Sequence, residues 1–253
     1  PVQVAFDARW LFSAPAGDLP VDGELRLTPA STLPGWEGYV FGRHDDASDP
    51  DVVAMPSGVT DAAGHFAASA ELPPALQAAA RPWQATLAMS VREGAGRPVE
   101  RRVTRTIAPA RTAIGLRPDF EGGSVAEGAD AGFRIVALGA ELQPAAATVD
   151  WVLNRVQTDY QWFSLGGEWS WEPVTRRSRV SSGQLALTAD GPAPLAVPVD
   201  WGSHELVVTA ADGAETSLTF DAGWGAASSG SDTPDRMRVT LDRPAYRPGD
   251  TAI

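Results

Sequence analysis

The sequence predicts an all-β protein built of tandem antiparallel β-sandwiches, seven strands to each. Three observations lead there. Apolar and polar residues alternate with period two in many short runs, turn signals punctuate those runs at regular intervals, and no segment has the length and propensity of a long helix. Residues 1–108 and 109–224 each read as such a sandwich closing on a hairpin. Residues 225–235 (GAASSGSDTPD) read as a flexible linker, and 236–253 as the first strand of a further sandwich that is cut short.

In the first unit Val2, Val4 and Phe6 alternate with Gln3, Ala5 and Asp7, and the strand is expected to run on through Trp10 to Phe12. SAPAGDLP turns the chain into the alternating Glu24–Thr28, and residues 29–38, rich in Pro and Gly around Trp36, form a loop. HDDASDPD (44–51) is an acidic loop. Thr60–Gly64 is a turn leading to Phe66, Ala68, Ala70 and Leu72 on one face. Pro73–Ala80 alone favours a helix, of one or two turns, and Trp83–Val91 pairs with Val99–Ile107 across EGAGR.

In the second unit Ile114 and Leu116 open the sheet, followed by Ala131–Leu138 and Val149–Leu153. The stretch 149–173 (VDWVLNRVQTDYQWFSLGGEWSWEP) gathers Trp151, Tyr160, Trp162, Phe163, Trp169 and Trp171, and Gly166-Gly167 makes Tyr160–Leu165 and Glu168–Trp171 the arms of a hairpin. Rings of that size, paired across strands, are expected to anchor the core. The other reading of Trp162, Trp169 and Trp171 is an exposed stacking platform. Gln184–Thr188 alternates next. Pro198, among Leu195, Val197 and Val199, places that strand at a sheet edge, and His204–Ala210 with Thr216–Phe220 closes the unit across Asp212-Gly213.

Composition narrows function by exclusion. A net charge of −12 argues against nucleic acid or an anionic membrane as partner, since both require a basic face. All twenty basic residues are Arg, and the one dense group, Arg97, Arg101, Arg102 and Arg105, reads as the solvent face of a strand. No apolar run nears the roughly 20 residues of a membrane-spanning helix. PVQVAF opens as a strand without the pattern of a leader, and the end at Ile253 reads as a fragment. Without cysteine there is no disulfide, thiolate metal site or cysteine nucleophile.

Catalytic and metal-ligating patterns are weak. His44, His65 and His204 stand apart, in the acidic loop, at a strand start and in the turn before the last hairpin, so no zinc site is expected. Asp45, Asp46, Asp49 and Asp51 have short spacing that could suit calcium but lack the EF-hand glycine and terminal glutamate, and a solvated loop is expected. Glu168 and Glu172 flank tryptophans as a glycosidase pair would, yet as neighbours on one strand they read as surface charge. Gly122–Ala126 departs from the Gly-x-Ser-x-Gly nucleophile elbow. No catalytic, cofactor or metal residue is assigned.

Several of these stretches resemble one family. RVTLDRPAYRPGDTA looks like the opening of a macroglobulin domain, the repeating fibronectin-III-like sandwich of the α2-macroglobulin family. PVDWGSHELVVT with LTFDAGW, and VDWVLNRVQTDYQWF with Trp169 and Trp171, are similar to the domain preceding it in bacterial members; TDAAGHFAASAELP resembles the recurring Thr-Asp-x-x-Gly turn. The resemblance implies a scaffold piece of a broad-spectrum endopeptidase inhibitor that is not an enzyme. It implies neighbouring domains and target proteases as partners, with a peptidoglycan synthase of the penicillin-binding class as a further one. It also implies a periplasmic protein held at the inner membrane as a lipoprotein. The family's thioester requires a Cys-x-Glu-Gln motif, which a chain without cysteine lacks, and no bait segment is evident, although 225–235 could be cut if exposed. The alternative function is a carbohydrate-binding or adhesin-type sandwich pair.

Overall fold

The computed structural model describes residues 1–223 apart from 78, 80, 95, 110, 140, 166 and 167. The expected linker at 225–235 and strand at 236–253 lie outside the described residues. The chain forms β1 (Val2–Asp7), β2 (Pro20–Pro29), β3 (Val40–Phe41), β4 (Asp51–Val59), β5 (His65–Ala70), α1 (Pro74–Gln77), β6 (Trp83–Val91) and β7 (Val99–Ile107). It continues with β8 (Ala113–Pro118), β9 (Ser124–Val125), β10 (Asp130–Leu138), β11 (Ala147–Leu165), β12 (Glu168–Leu187), β13 (Ala193–Pro198), β14 (Gly202–Ala210) and β15 (Glu215–Ala222).

The tandem antiparallel sandwiches are present, but their strands are shared unevenly. In the first, the pair β1-β5 faces the sheet β4-β2-β6-β7; in the second, β13-β10-β8-β3 faces β12-β11-β14-β15-β9. Strand β3 thus belongs by sequence to the first half and by pairing to the second, with Val40 opposite Leu116 and Phe41 opposite Gly115. Glycine at 115 is what admits Phe41: a Cβ there would lie 2.9 Å from the Phe41 ring and from Val136. Around this crossing Leu33, Tyr39 and Phe41 are buried with Ala113, Val136 and Leu138, and the Trp36 indole donates to the Leu142 carbonyl at 3.3 Å. An apolar seam therefore joins the halves.

Three aromatic rings centre the second core. Phe120, Phe133 and Phe220 meet pairwise at 5.3 to 5.5 Å, ringed by Ile114, Ile135, Leu153 and Leu206. The tryptophan-rich hairpin is not that anchor, contrary to expectation. β11 and β12 pair along their whole lengths, but β14 joins β11 only between Val149 and Val156. Beyond Val156 the hairpin is a two-stranded arm with no opposing layer among the described residues. Trp162 is 56% exposed, and Tyr160 and Trp171 are half-buried against each other. Trp151, near the base, packs on the core.

Two further expectations change. β1 stops at Asp7, because the Trp10 and Ser13 amides close a tight loop on Ala14 and Trp10, leaving Leu11 and Phe12 exposed at its tip. His204 lies inside β14 rather than in a turn, buried and stacked on Phe220 at 5.5 Å. Other signals behave as the residue chemistry predicts. α1 is a single turn, β13 with its prolines is a sheet edge, and Gly213 takes φ +79° in the β14–β15 turn. In the Thr60–Gly64 turn the buried Thr60 hydroxyl accepts from Leu19 N–H and donates to the Ala16 carbonyl, while Asp61 accepts from the amides of Ala63 and His65.

Candidate functional site

Where β3 leaves the second sandwich, the chain turns at Gly42 and lays residues 43–46 over the outer face of β14 and β15. Gly42 has φ +81°, a conformation that L side chains rarely adopt, and a Cβ there would sit 2.5 Å from the Cβ of Arg81. Its amide donates to Thr216 Oγ1 (2.9 Å), which in turn donates to the Ile114 carbonyl (2.6 Å), and its carbonyl accepts from Ser217 N–H. The next residue but one continues the docking: His44 N–H donates to Ser217 Oγ, and the His44 ring meets the same hydroxyl at 2.7 Å. One backbone segment is thereby held by four buried or half-buried polar contacts.

An ion-pair network forms on top of these. Arg43 grips both oxygens of Asp45 (2.8 and 2.9 Å) and reaches Glu215 at 3.0 Å. That forked hydrogen bond holds the Asp45 carboxyl below the ordinary carboxylate range, with burial opposing, and holds the Arg43 guanidinium above its own. Arg177 of β12 donates to Glu205 (2.9 Å) and contacts Asp45 (3.3 Å), and Asn154 of β11 donates to Glu205 at 3.3 Å. Glu205 is 1% exposed, a charge taken almost wholly out of water, so its stability rests on these donors. Its Oε1 lacks a hydrogen bond, although Arg43 and His44 approach to 3.8 and 3.7 Å.

His44, Asp45 and Glu205 each bring a potential ligand atom within 4.8 Å of the others. Arg43 occupies both oxygens of Asp45, and Arg177 and Asn154 one oxygen of Glu205, so the set is a cluster of ion pairs. The other acidic residues of the loop do not join it. Asp46 accepts from Ser48 and pairs with Arg81 at 3.6 Å, and Asp51 accepts from the Val52 amide. His44 stays exposed in this loop, as expected, although its amide and ring both meet Ser217 Oγ. His65 pairs with Asp7 on the exposed side of the first sandwich, and His204 is enclosed in the second core, so the three histidines do remain apart.

Of the rings of the expected platform, Trp162 is 56% exposed and Trp171 packs edge to face on Tyr160 at 79°. The Trp169 and Glu168 side chains lie outside the described residues, and Glu172 is exposed opposite Gln161. Sequence reading missed Arg43, Arg177, Glu205 and Glu215. Glu205 alternates with His204 and Leu206 as a solvent-facing residue of a half-buried strand would, and only the chain crossing above it makes the position buried.

Comparison with known proteins gives a consistent picture. The family model described as the bacterial alpha-2-macroglobulin MG5 domain matches residues 1–109, and that of bacterial macroglobulin domain 6 matches 115–224. An alpha-2-macroglobulin of Xylella fastidiosa (strain 9a5c) is 30% identical over 271 residues, covering 99% of this chain and 16% of that protein. Among solved structures, E. coli alpha-2-macroglobulin in its native conformation has a TM-score of 0.71 at 29% identity, covering 99% of this chain and 17% of that one. The E. coli protein activated by porcine elastase has a TM-score of 0.67 at 28% identity over 88% of this chain and 20% of the other.

Proposed function

The chain belongs to the bacterial α2-macroglobulin family, and from that premise we propose that its two sandwiches are a rigid scaffold within a broad-spectrum endopeptidase trap, carrying no catalysis themselves. It spans 16% of the length of the curated relative from Xylella. The observation that carries the proposal is the crossing of β3 and residues 42–45 into the second sandwich. Two domains joined by a flexible linker could swing freely; two that share a sheet, an apolar seam and the ion pairs of Arg43 with Glu205 and Glu215 transmit force as one body. A scaffold that must hold its shape while other parts rearrange requires that rigidity. The protease as target is supported by the relative activated with elastase. A periplasmic location with a lipid anchor, and association with a peptidoglycan synthase, extend the proposal on the family resemblance.

The test is direct. Excess chain added to trypsin or elastase leaves the rate of casein cleavage unchanged, because a scaffold alone does not trap. Calorimetry of the same chain shows a single cooperative transition. Stoichiometric inhibition by the chain, or two independent transitions, overturns the scaffold reading.

A further inference from the structure

Beside the seam, the loop before β3 and the strands β8 and β10 bound a cavity of about 410 Å³, with Trp36, Glu37, Tyr39, Arg117, Arg134 and Pro192 in its wall. The loop is closed by its own backbone: the Trp36 amide donates to the Leu33 carbonyl (3.1 Å) and the Tyr39 amide to the Trp36 carbonyl (3.2 Å). The two rings meet edge to face at 5.4 Å, and the indole is fixed by its donation to the Leu142 carbonyl. The aromatic wall is thus set before any ligand arrives.

The polar side holds an arrangement that folding alone does not explain. Arg117 and Arg134 stand directly opposite each other in the β8–β10 register, where like charges destabilise a sheet. Arg134 is compensated by Asp119 at 3.1 Å. Arg117 meets no carboxylate among the described residues; its guanidinium lies 5.0 Å from the centre of the Tyr39 ring. Gly38 makes room for it, since a Cβ there would come 3.1 Å from the Arg117 Cδ. Glu37, the acid of this wall, accepts from the Gly35 amide at 3.2 Å.

Tyr39 is 4% exposed, and its hydroxyl has no hydrogen-bond partner among the described residues although it lies in the field of both arginines. Burial holds the phenol above its ordinary pKa against that field, so at neutral pH it keeps its proton and can donate. We propose that this cavity binds a carboxylate carried on an apolar body: the carboxylate accepts from the Arg117 fork and the Tyr39 hydroxyl, with Arg134 adding charge, and the body packs on Trp36 and Pro192. A doubly charged anion such as phosphate fits less well, because Glu37 and Asp119 stand beside the same arginines. A small free acid and the end of a polypeptide chain share the required chemistry. This assignment goes beyond the scaffold role and is independent of it.

Calorimetric titration of the chain with N-acetyl-phenylalanine tests it, alongside the corresponding amide, which differs only in lacking the charge. The expected result is saturable binding of the acid, at least about ten-fold tighter than the amide. Arg117→Gln, at a half-buried position and checked for an unchanged thermal midpoint, removes that preference. Tyr39→Phe, which keeps the ring and deletes the hydroxyl, weakens the acid and leaves the amide unchanged. A tripeptide ending in the same phenylalanine that binds more tightly than the single residue supports a chain end as the ligand, and equal affinity supports a small free acid. Absence of saturable binding, equal affinity for acid and amide, displacement of the acid by inorganic phosphate at equal concentration, or a preference retained in Arg117→Gln overturns the proposal.

Discussion

In the second sandwich a five-stranded sheet meets a four-stranded one, and Phe133, Ile135, Leu153 and Leu206 between them are wholly shielded from water; in the first, two strands face four, and β7 keeps much of its apolar side exposed. The difference comes from one short element. Without β3 the second sandwich would have three strands against five and an uncovered β8 edge; with it, Phe41 and Tyr39 seal that flank. The chain completes one core with a strand drawn from its neighbour's sequence. Burial is therefore a property of the pair of domains rather than of each.

Truncations at matched depth break the comparison most sharply. Phe133→Ala removes a ring in contact with Phe120 and Phe220 at the centre of the closed core, and is expected to cost about 3 to 5 kcal/mol in urea denaturation. Val103→Ala, at an exposed position of β7, is expected to stay within about 0.5 kcal/mol. Comparable losses at both sites would mean the first sandwich is as closed as the second. Next in size is the crossing itself. Gly42→Ala puts a methyl into a left-handed backbone position and against Arg81, for an expected cost of roughly 1 to 3 kcal/mol. Because Gly42 anchors β3, the loss should also split a single calorimetric transition into two. A variant that unfolds in one unshifted transition would show that the crossing does not couple the domains.

Legibility in the sequence followed the range of the interactions. Period-two alternation and Asp-Gly or Thr-Asp-x-x-Gly turns are local, and they placed β6, β7, β10, β14 and β15 and assigned β13 to an edge through its prolines. β3 is two residues long, Val40 and Phe41, too short for a period to show; its pairing with β8 depends on a glycine some seventy residues later that is too small to signal anything alone. The ion-pair cluster was hidden for the same reason: Arg43, Arg177, Glu205 and Glu215 are ordinary surface residues until the fold assembles them. The aromatic stretch misled in the opposite sense. Ring content suggested a core, but a ring is buried only if a second layer lies over it, and beyond Val156 the arm has none among the described residues.

The smallest expected effect concerns His204, enclosed in the closed core, where the open sandwich offers only the half-exposed His65. Burial holds the His204 imidazole below its ordinary pKa; its Nδ1 lies 3.0 Å from the Gly202 carbonyl, Arg155 pushes the same way as burial, and Asp200 and Asp221 oppose. The sign follows from linkage. A folded-state pKa beneath the unfolded value of about 6.5 means that the unfolded chain binds more protons over that interval, so stability is full above it and falls as pH drops toward the folded-state value. Between pH 7.5 and 5.5 the urea midpoint of the chain should therefore decrease. His204→Phe, which keeps a ring against Phe220 without a titrating nitrogen, should flatten that slope. An identical pH profile in the variant would show that His204 is not the source of the acid sensitivity in this interval.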